Sequence, residues 1–216
     1  MDGCRDANLQ ALAVLDEPTR RRLYDYVIAQ RAPVSRDEAA SALALPRNTA
    51  AFHLDKLATE GLLTVVFERR SGRTGPGAGR PAKLYRRSDH EIEVSLPERQ
   101  YDVAGHLLAA ALEDADASGE SPRTALERRA RRYGETIGRA GGDPLRLLED
   151  HGFEPRSEGT SIGLANCPFH ALAANHPELI CHMTLSLVRG LLTDDSGYRA
   201  ELDPQPGHCC VRLEPH

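Results

Sequence analysis

Three features of the sequence predict an α+β chain in three parts. The first 60 residues carry short helical patterns and end in a pair of β-rich runs. The middle carries two longer helical patterns with no strand signal between them. The last third mixes short strands with helices and holds four of the five cysteines. Of the 216 residues, 40% are hydrophobic and 27% charged, which excludes a disordered chain. No apolar run approaches the ~20 residues of a membrane span, and Met1-Asp2-Gly3-Cys4-Arg5-Asp6 lacks the order of a signal peptide. A cytoplasmic chain is therefore expected, with no membrane partner.

Charge divides the chain. Residues 1–90 hold 15 Lys and Arg against 11 Asp and Glu, while residues 91–216 hold 12 against 21. Only the first part has the balance to meet a polyanion.

Helical spacing begins behind Pro18, with Leu23 and Val27, then Tyr24 and Ile28, at i, i+4. Ser35-Arg36-Asp37-Glu38 is a capping box that opens a helix over about 35–43. After Leu45, Pro46 can start a second helix, in which Ala50, Leu54, Leu57 and Ala58 share an inward face. Thr49, His53 and Lys56 are expected outside, with Arg47 and Asn48 at the exposed N-terminal end. Gly61 ends that helix, and Leu62 to Glu68 is β-rich. A glycine-rich stretch, 69–81, then leads to a returning strand, Ala82-Lys83-Leu84-Tyr85-Arg86. Seven Lys and Arg and no acid fall between 69 and 87, so Arg69, Arg70, Arg73, Arg80 and Lys83 are candidate phosphate contacts. Two helices across a tight turn followed by a basic hairpin form a winged helix-turn-helix, expected over 1–95.

These residues resemble the winged-helix transcriptional regulators of the ArsR-like group. The match runs from Leu45-Pro46-Arg47-Asn48-Thr49 through His53-Leu54 and Leu57 to Gly61-Leu62-Leu63 and the basic wing. The resemblance implies a double-stranded DNA operator. Arg47, Asn48, Thr49, His53 and Lys56 would lie at bases, and the wing at phosphates.

Helices over 97–117 and 123–140 make up a helical dimerisation segment, 96–142. A reader of this kind needs two copies to meet two half-sites, so a homodimer on a palindromic operator is expected. Arg128-Arg129 and Arg131-Arg132, interleaved with Glu127 and Glu135, are read as one solvated face. From Asp143 the pattern predicts a small α/β domain over 143–216. Its elements are a helix from 143, strands over 153–158 and 160–166, a helix over 177–192, and strands at Tyr198–Leu202 and Cys210–Leu213. No Gly-rich phosphate loop and no Ser-His-Asp set appears, so a regulator and not an enzyme is expected. Glu178 is the one acid that a DNA-tethered metalloenzyme would tempt one to use as its base.

The C-terminal domain has the residues of a metal site. Cys167 and His170 flank Pro168-Phe169 directly after a strand, and Cys181 lies in the next helix on the stripe of Leu185, Val188 and Leu192. Cys209-Cys210 stands on the last strand, where alternation would turn one side chain inward. A Cys₃His set of this kind suits tetrahedral zinc and also an iron–sulfur cluster. His176, His182 and His208 are placed around the site or at the surface, and any one could replace His170. Cys4 is read as outside the site.

On those cysteines the chain is similar to the SufR-type group, repressors of iron–sulfur assembly operons. The resemblance implies a cluster held by Cys167 after Asn166, Cys181 after Ile180, and Cys210 before Val211-Arg212-Leu213. The group's third cysteine falls near Leu192-Thr193-Asp194-Asp195, where this chain has none, leaving His170 or Cys209 as fourth ligand. The expected function is a DNA-binding repressor that senses redox or cluster status through an iron–sulfur cluster. The alternative is a structural or sensory Zn²⁺ with another effector.

Overall fold

A computed structural model describes residues 2–69, 81–205 and 207–216. The chain divides into two compact units, Met1–Val94 and Ser95–His216.

In the first unit, helices α1 (Asp2–Val14), α2 (Pro18–Ile28), α3 (Arg36–Leu43) and α4 (Arg47–Thr59) are joined by a three-stranded antiparallel sheet. Its strands are β1 (Val34–Ser35), β2 (Leu63–Glu68) and β3 (Ala82–Arg87), in the order β1-β3-β2. The capping box at Ser35 forms as the pattern requires: Glu38 N–H donates to the Ser35 hydroxyl at 3.2 Å, and Ser35 N–H to the Glu38 carboxylate at 2.7 Å. The turn between α3 and α4 is tight because Ala44 takes the left-handed conformation, φ 52°, before Pro46 restarts the helix. β2 and β3 pair from Leu63 opposite Arg87 to Glu68 opposite Ala82. The core joins Leu23, Val27, Val34, Leu54, Leu57, Leu63 and Tyr85. Helix α1 and the two-residue β1 carry too little apolar periodicity to be read in advance.

The second unit contains α5 (Tyr101–Ser118), α6 (Pro122–Arg139), α7 (Pro144–Asp150), α8 (His170–Asn175) and α9 (Pro177–Leu191). Strands β4 (Pro155–Glu158), β5 (Ser161–Leu164), β6 (Tyr198–Leu202) and β7 (Val211–Pro215) form an antiparallel sheet in the order β4-β5-β7-β6. The segment 96–142, read as a separate helical piece, shares one core with the residues after it. Ala104, Leu107, Ala111, Leu126 and Ala130 join Met183, Leu187, Leu191 and the sheet residues Ile162 and Leu213. Helix α5 starts at Tyr101, four residues later than Pro97 suggests.

Helices α6 and α9 meet backbone to backbone through glycines. A Cβ on Gly134 would lie 2.8 Å from the Leu191 nitrogen and closer still to the Leu187 oxygen. One on Gly190 would lie 2.9 Å from the Glu135 nitrogen and closer still to the Arg131 oxygen. The arginine pairs of α6 split in role: Arg128 and Arg129 both bind Asp114 of α5, at 2.9 and 2.7 Å, whereas Arg131 pairs along its own helix with Glu135 at 3.5 Å. Those hydrogen bonds, that from Arg129 first, hold the Asp114 carboxyl far below the usual carboxylate range.

Candidate functional site

Helix α4 buries Ala50, Leu54 and Leu57. At about 100° per residue, the direction opposite that stripe falls near Phe52, with Asn48 and Lys56 on either side. Phe52 is accordingly 66% exposed, and Arg47, Asn48, Asp55, Lys56 and Thr59 are exposed with it.

This differs from the outward face read from sequence. Thr49 is half-buried, and the His53 side chain is only 13% exposed. Contacts distant in sequence hold His53 there. Arg20 Nε–H of α2 donates to its Nδ1 at 3.4 Å, and the Glu17 carboxylate lies 3.6 Å away. Glu17 is itself fixed as the N-cap of α2, accepting from Thr19 N–H at 3.0 Å and Arg20 N–H at 2.6 Å. The Phe52 ring stands edge-on to His53, with centroids 5.3 Å apart. His53 therefore supports the outer face and does not form it.

The remaining cations of this surface are paired within the unit. Arg47 donates to Asp37 at 2.9 Å, and Lys56 to Glu60 at 2.5 Å. On the wing strand, Lys83 Nζ donates to the Asp55 carboxylate at 2.5 Å, beside the Tyr85 hydroxyl donating to the same oxygen at 2.6 Å. Partial burial pushes the Asp55 carboxyl up, but these two hydrogen bonds outweigh it and leave it below the usual range. The contact ties the returning strand of the wing to α4. Arg69 is exposed at the end of β2. Arg70, Arg73 and Arg80 lie outside the described residues.

In the second unit, three separate segments bring four thiols together. Cys167 follows β5, and Cys209-Cys210 precedes β7, the neighbouring strand. Backbone bonds fix both turns: Cys209 N–H donates to Leu164 O at 2.8 Å, and Asp203 N–H to Cys210 O at 2.9 Å. Cys181 comes from the second turn of α9. The Cys209 thiol interacts with those of Cys167 and Cys210, and Cys210 in turn with Cys181.

These contacts separate the thiols in acidity. The hydrogen bond from Cys209 lowers Cys210 to about 7 against the opposing effect of burial, with a second bond from Cys181 assisting. Cys167 is lowered by Cys209 in the same way, with the Arg99 guanidinium a smaller contributor. Burial, then the contact with Cys210, pushes Cys181 up to about 12. The neighbouring Cys167 and Cys210, together with burial, raise Cys209.

Two expectations change here. Cys209 and Cys210 are both buried, because β7 begins only at Val211 and the pair sits in the turn before it, so strand alternation does not separate them. His170 is exposed at the start of α8, since its own N–H turns back to Cys167 O at 3.1 Å and opens that helix; the thiols' interactions come from one another, Arg99, Glu178 and backbone. The described side chains that interact here are thus four thiols, without His170. Among the described residues, no three His, Cys, Asp or Glu side chains stand in a metal-holding arrangement as the chain lies. The side chain of Cys4 lies outside the described residues.

Arg99 and Asn166 were missed in the sequence. Arg99 donates to the Asn166 side-chain oxygen and to Cys167 O at 3.0 Å; buried Asn166 donates to Gly152 O at 2.6 Å and Glu98 O at 3.1 Å. With Gln100 N–H on Pro168 O at 3.1 Å, they fasten the thiol-bearing loop to the segment that precedes α5.

Among the described residues, no helix is long and apolar enough to cross a membrane. No curated protein and no solved structure matches the chain. A family model described as a helix-turn-helix domain matches residues 15–66, the span from the end of α1 to β2 that contains α4. That domain supports a DNA-binding transcriptional regulator.

Proposed function

We propose that the chain is a homodimeric repressor whose C-terminal thiols hold an iron–sulfur cluster and couple redox or cluster status to operator binding. The observation that carries the sensing half is the convergence of Cys167, Cys181, Cys209 and Cys210 from three segments of one small unit. Four soft sulfur donors, largely withdrawn from water, suit a cluster or tetrahedral zinc. A cluster supplies a redox-active, oxidisable centre when bound. The resemblance to SufR-type repressors favours it, with Cys209 as the fourth ligand in place of His170. Because the thiols are gathered without a metal-holding arrangement, loading would draw α9, the β5 loop and the β7 turn together. Arg99 would pass that movement to the segment before α5.

The DNA half rests on α4 and the wing. Arg47, Asn48 and Lys56 face the major groove, with Thr49 at its margin, and Arg69, Arg70, Arg73, Arg80 and Lys83 neutralise phosphates. Two copies joined through α5 and α6 would set two half-sites of a palindromic duplex.

Anaerobic purification of the whole chain with metal and sulfide analysis tests the reading. A brown protein absorbing near ~400 nm, with iron and sulfide in equal amounts, is expected of a cluster. A colourless protein with one zinc per chain would favour the zinc reading. No metal in wild type, or full retention in each of Cys167→Ser, Cys181→Ser and Cys210→Ser, would remove the sensing half and leave the helix-turn-helix intact.

A further inference from the structure

The most exposed large apolar side chain of α4 stands where the helix faces outward, and the phosphate and base contacts assigned above make no use of it. Phe52 is 66% exposed, between Asn48 one turn before it and Lys56 one turn after. A single exposed apolar ring is ordinary at a protein surface; what marks this one is its place at the centre of the outward face of α4. Its orientation is also set in advance. The ring rests edge-on against His53, at 71° between planes, and His53 is held by Arg20 and Glu17. Less side-chain freedom is therefore lost when a partner arrives.

We propose that Phe52 reads a thymine methyl group in the major groove and is a specificity-determining residue of this chain. The inference rests on the DNA-binding reading. Three observations select duplex DNA as the occupant. The ring lies on the outward face of α4, the last helix of the matched helix-turn-helix domain and the second of the α3–α4 pair, the element that enters the groove in such domains. Asn48 precedes it on that face, Arg47 is exposed at the N-terminal end of the same helix, and the seven Lys and Arg of 69–87 follow in the same unit, which complements a polyanion. The floor of the major groove has one apolar feature at base edges, the thymine C5 methyl, and a phenyl ring has no other favourable contact there. Asn48 beside it has the donor and acceptor to pair with adenine N6 and N7. The chain should thus favour an A·T-containing step under α4.

The test uses duplexes recovered by the full chain from a randomised pool. Each thymine of a recovered site is replaced by uracil, which removes the methyl and leaves all pairing unchanged. In wild type, uracil at one position per half-site should weaken binding about fourfold, the worth of one buried methyl. Phe52→Ala should bind the same thymine and uracil duplexes equally, and Phe52→Leu should keep part of the difference. The salt dependence of binding should be unchanged in both variants, showing that the wing still engages. A wild-type chain that recovers no duplex refutes the DNA-binding reading itself. A chain that binds DNA with no uracil-sensitive position, or whose Phe52→Ala variant keeps the full penalty, overturns the role of Phe52 alone. Light scattering in which Phe52→Ala lowers the mass of the free protein, with the uracil penalty retained, would assign the ring to a contact between two copies.

Discussion

Adding one methyl group at Gly190 should destabilise the second unit, although alanine is the better helix former. The Cβ would meet the Arg131 carbonyl oxygen of α6 well inside 3.0 Å and the Glu135 nitrogen at 2.9 Å, where ordinary contact begins near 3.4 Å. Both obstacles are backbone, so no side chain can swing aside; α9 must retreat from α6 by about 1 Å, enough to forfeit a quarter to a half of each dispersion contact along the seam. Overpacking costs roughly 1–3 kcal/mol where side chains can adjust, and the upper end applies against rigid backbone. The helix-propensity gain of alanine returns about 1 kcal/mol, leaving a net loss of about 2 kcal/mol. With a urea dependence of about 2 kcal/mol/M, the midpoint should fall by about 1 M. Gly105→Ala on α5 is the matched control. A Cβ there meets nothing within 4 Å, so the same substitution should raise stability by about 1 kcal/mol. Urea titration followed by circular dichroism, with amide exchange in α9 to assign the transition, reads both. A Gly190→Ala protein as stable as wild type would refute the close-packed seam.

The ion cluster between α5 and α6 should show itself in acid. The Asp114 carboxyl is held below its ordinary range by Arg129 and Arg128, so its stabilisation is complete above the ordinary carboxylate range and is lost as pH falls through the lowered folded value. Thermal melts of Asp114→Asn should be lower than wild type at neutral pH and converge with it in strong acid; parallel curves throughout would contradict this. Arg99→Ala leaves buried Asn166 and the Cys167 carbonyl short of a donor, costing about 1–3 kcal/mol. It should also reduce metal retention; unchanged metal content and stability would show that the loop holds itself. Arg73→Ala and Arg80→Ala should each lower the salt slope of DNA binding by about one, on every duplex alike. Unchanged slopes would make the glycine-rich stretch a linker.

The first unit was largely legible because its signals are local. The Ser35 capping box, Pro46 after a helix end and the β-rich runs around the basic stretch all act within a few residues, and the observed elements fall where they indicate. The outward face of α4 was less so. Phe52 was assigned to neither face, and His53 looked exposed because Glu17 and Arg20, which cover it, are more than 30 residues away in sequence. In the second unit, the cysteines marked a candidate site, but which sulfurs lie together depends on β5 and β7 being neighbours and on β7 starting one residue after Cys210. The α6–α9 seam had a faint local trace in Gly134 and Gly138, one turn apart. Their partner Gly190, on a helix some fifty residues on, becomes meaningful only when the helices touch.

The most direct test is anaerobic DNA-binding anisotropy of one preparation of the full chain, measured with the thiol site loaded and again after chelation, on a duplex the loaded chain has selected. Coupling between the thiols and the helix-turn-helix requires the two affinities to differ, and a difference between about fivefold and 150-fold is expected. Cys181→Ser, which removes a sulfur far in sequence from α4, should bind as the stripped protein does. Equal affinities with the site demonstrably loaded and stripped would contradict the sensor, leaving a helix-turn-helix regulator whose four thiols do not report to its DNA.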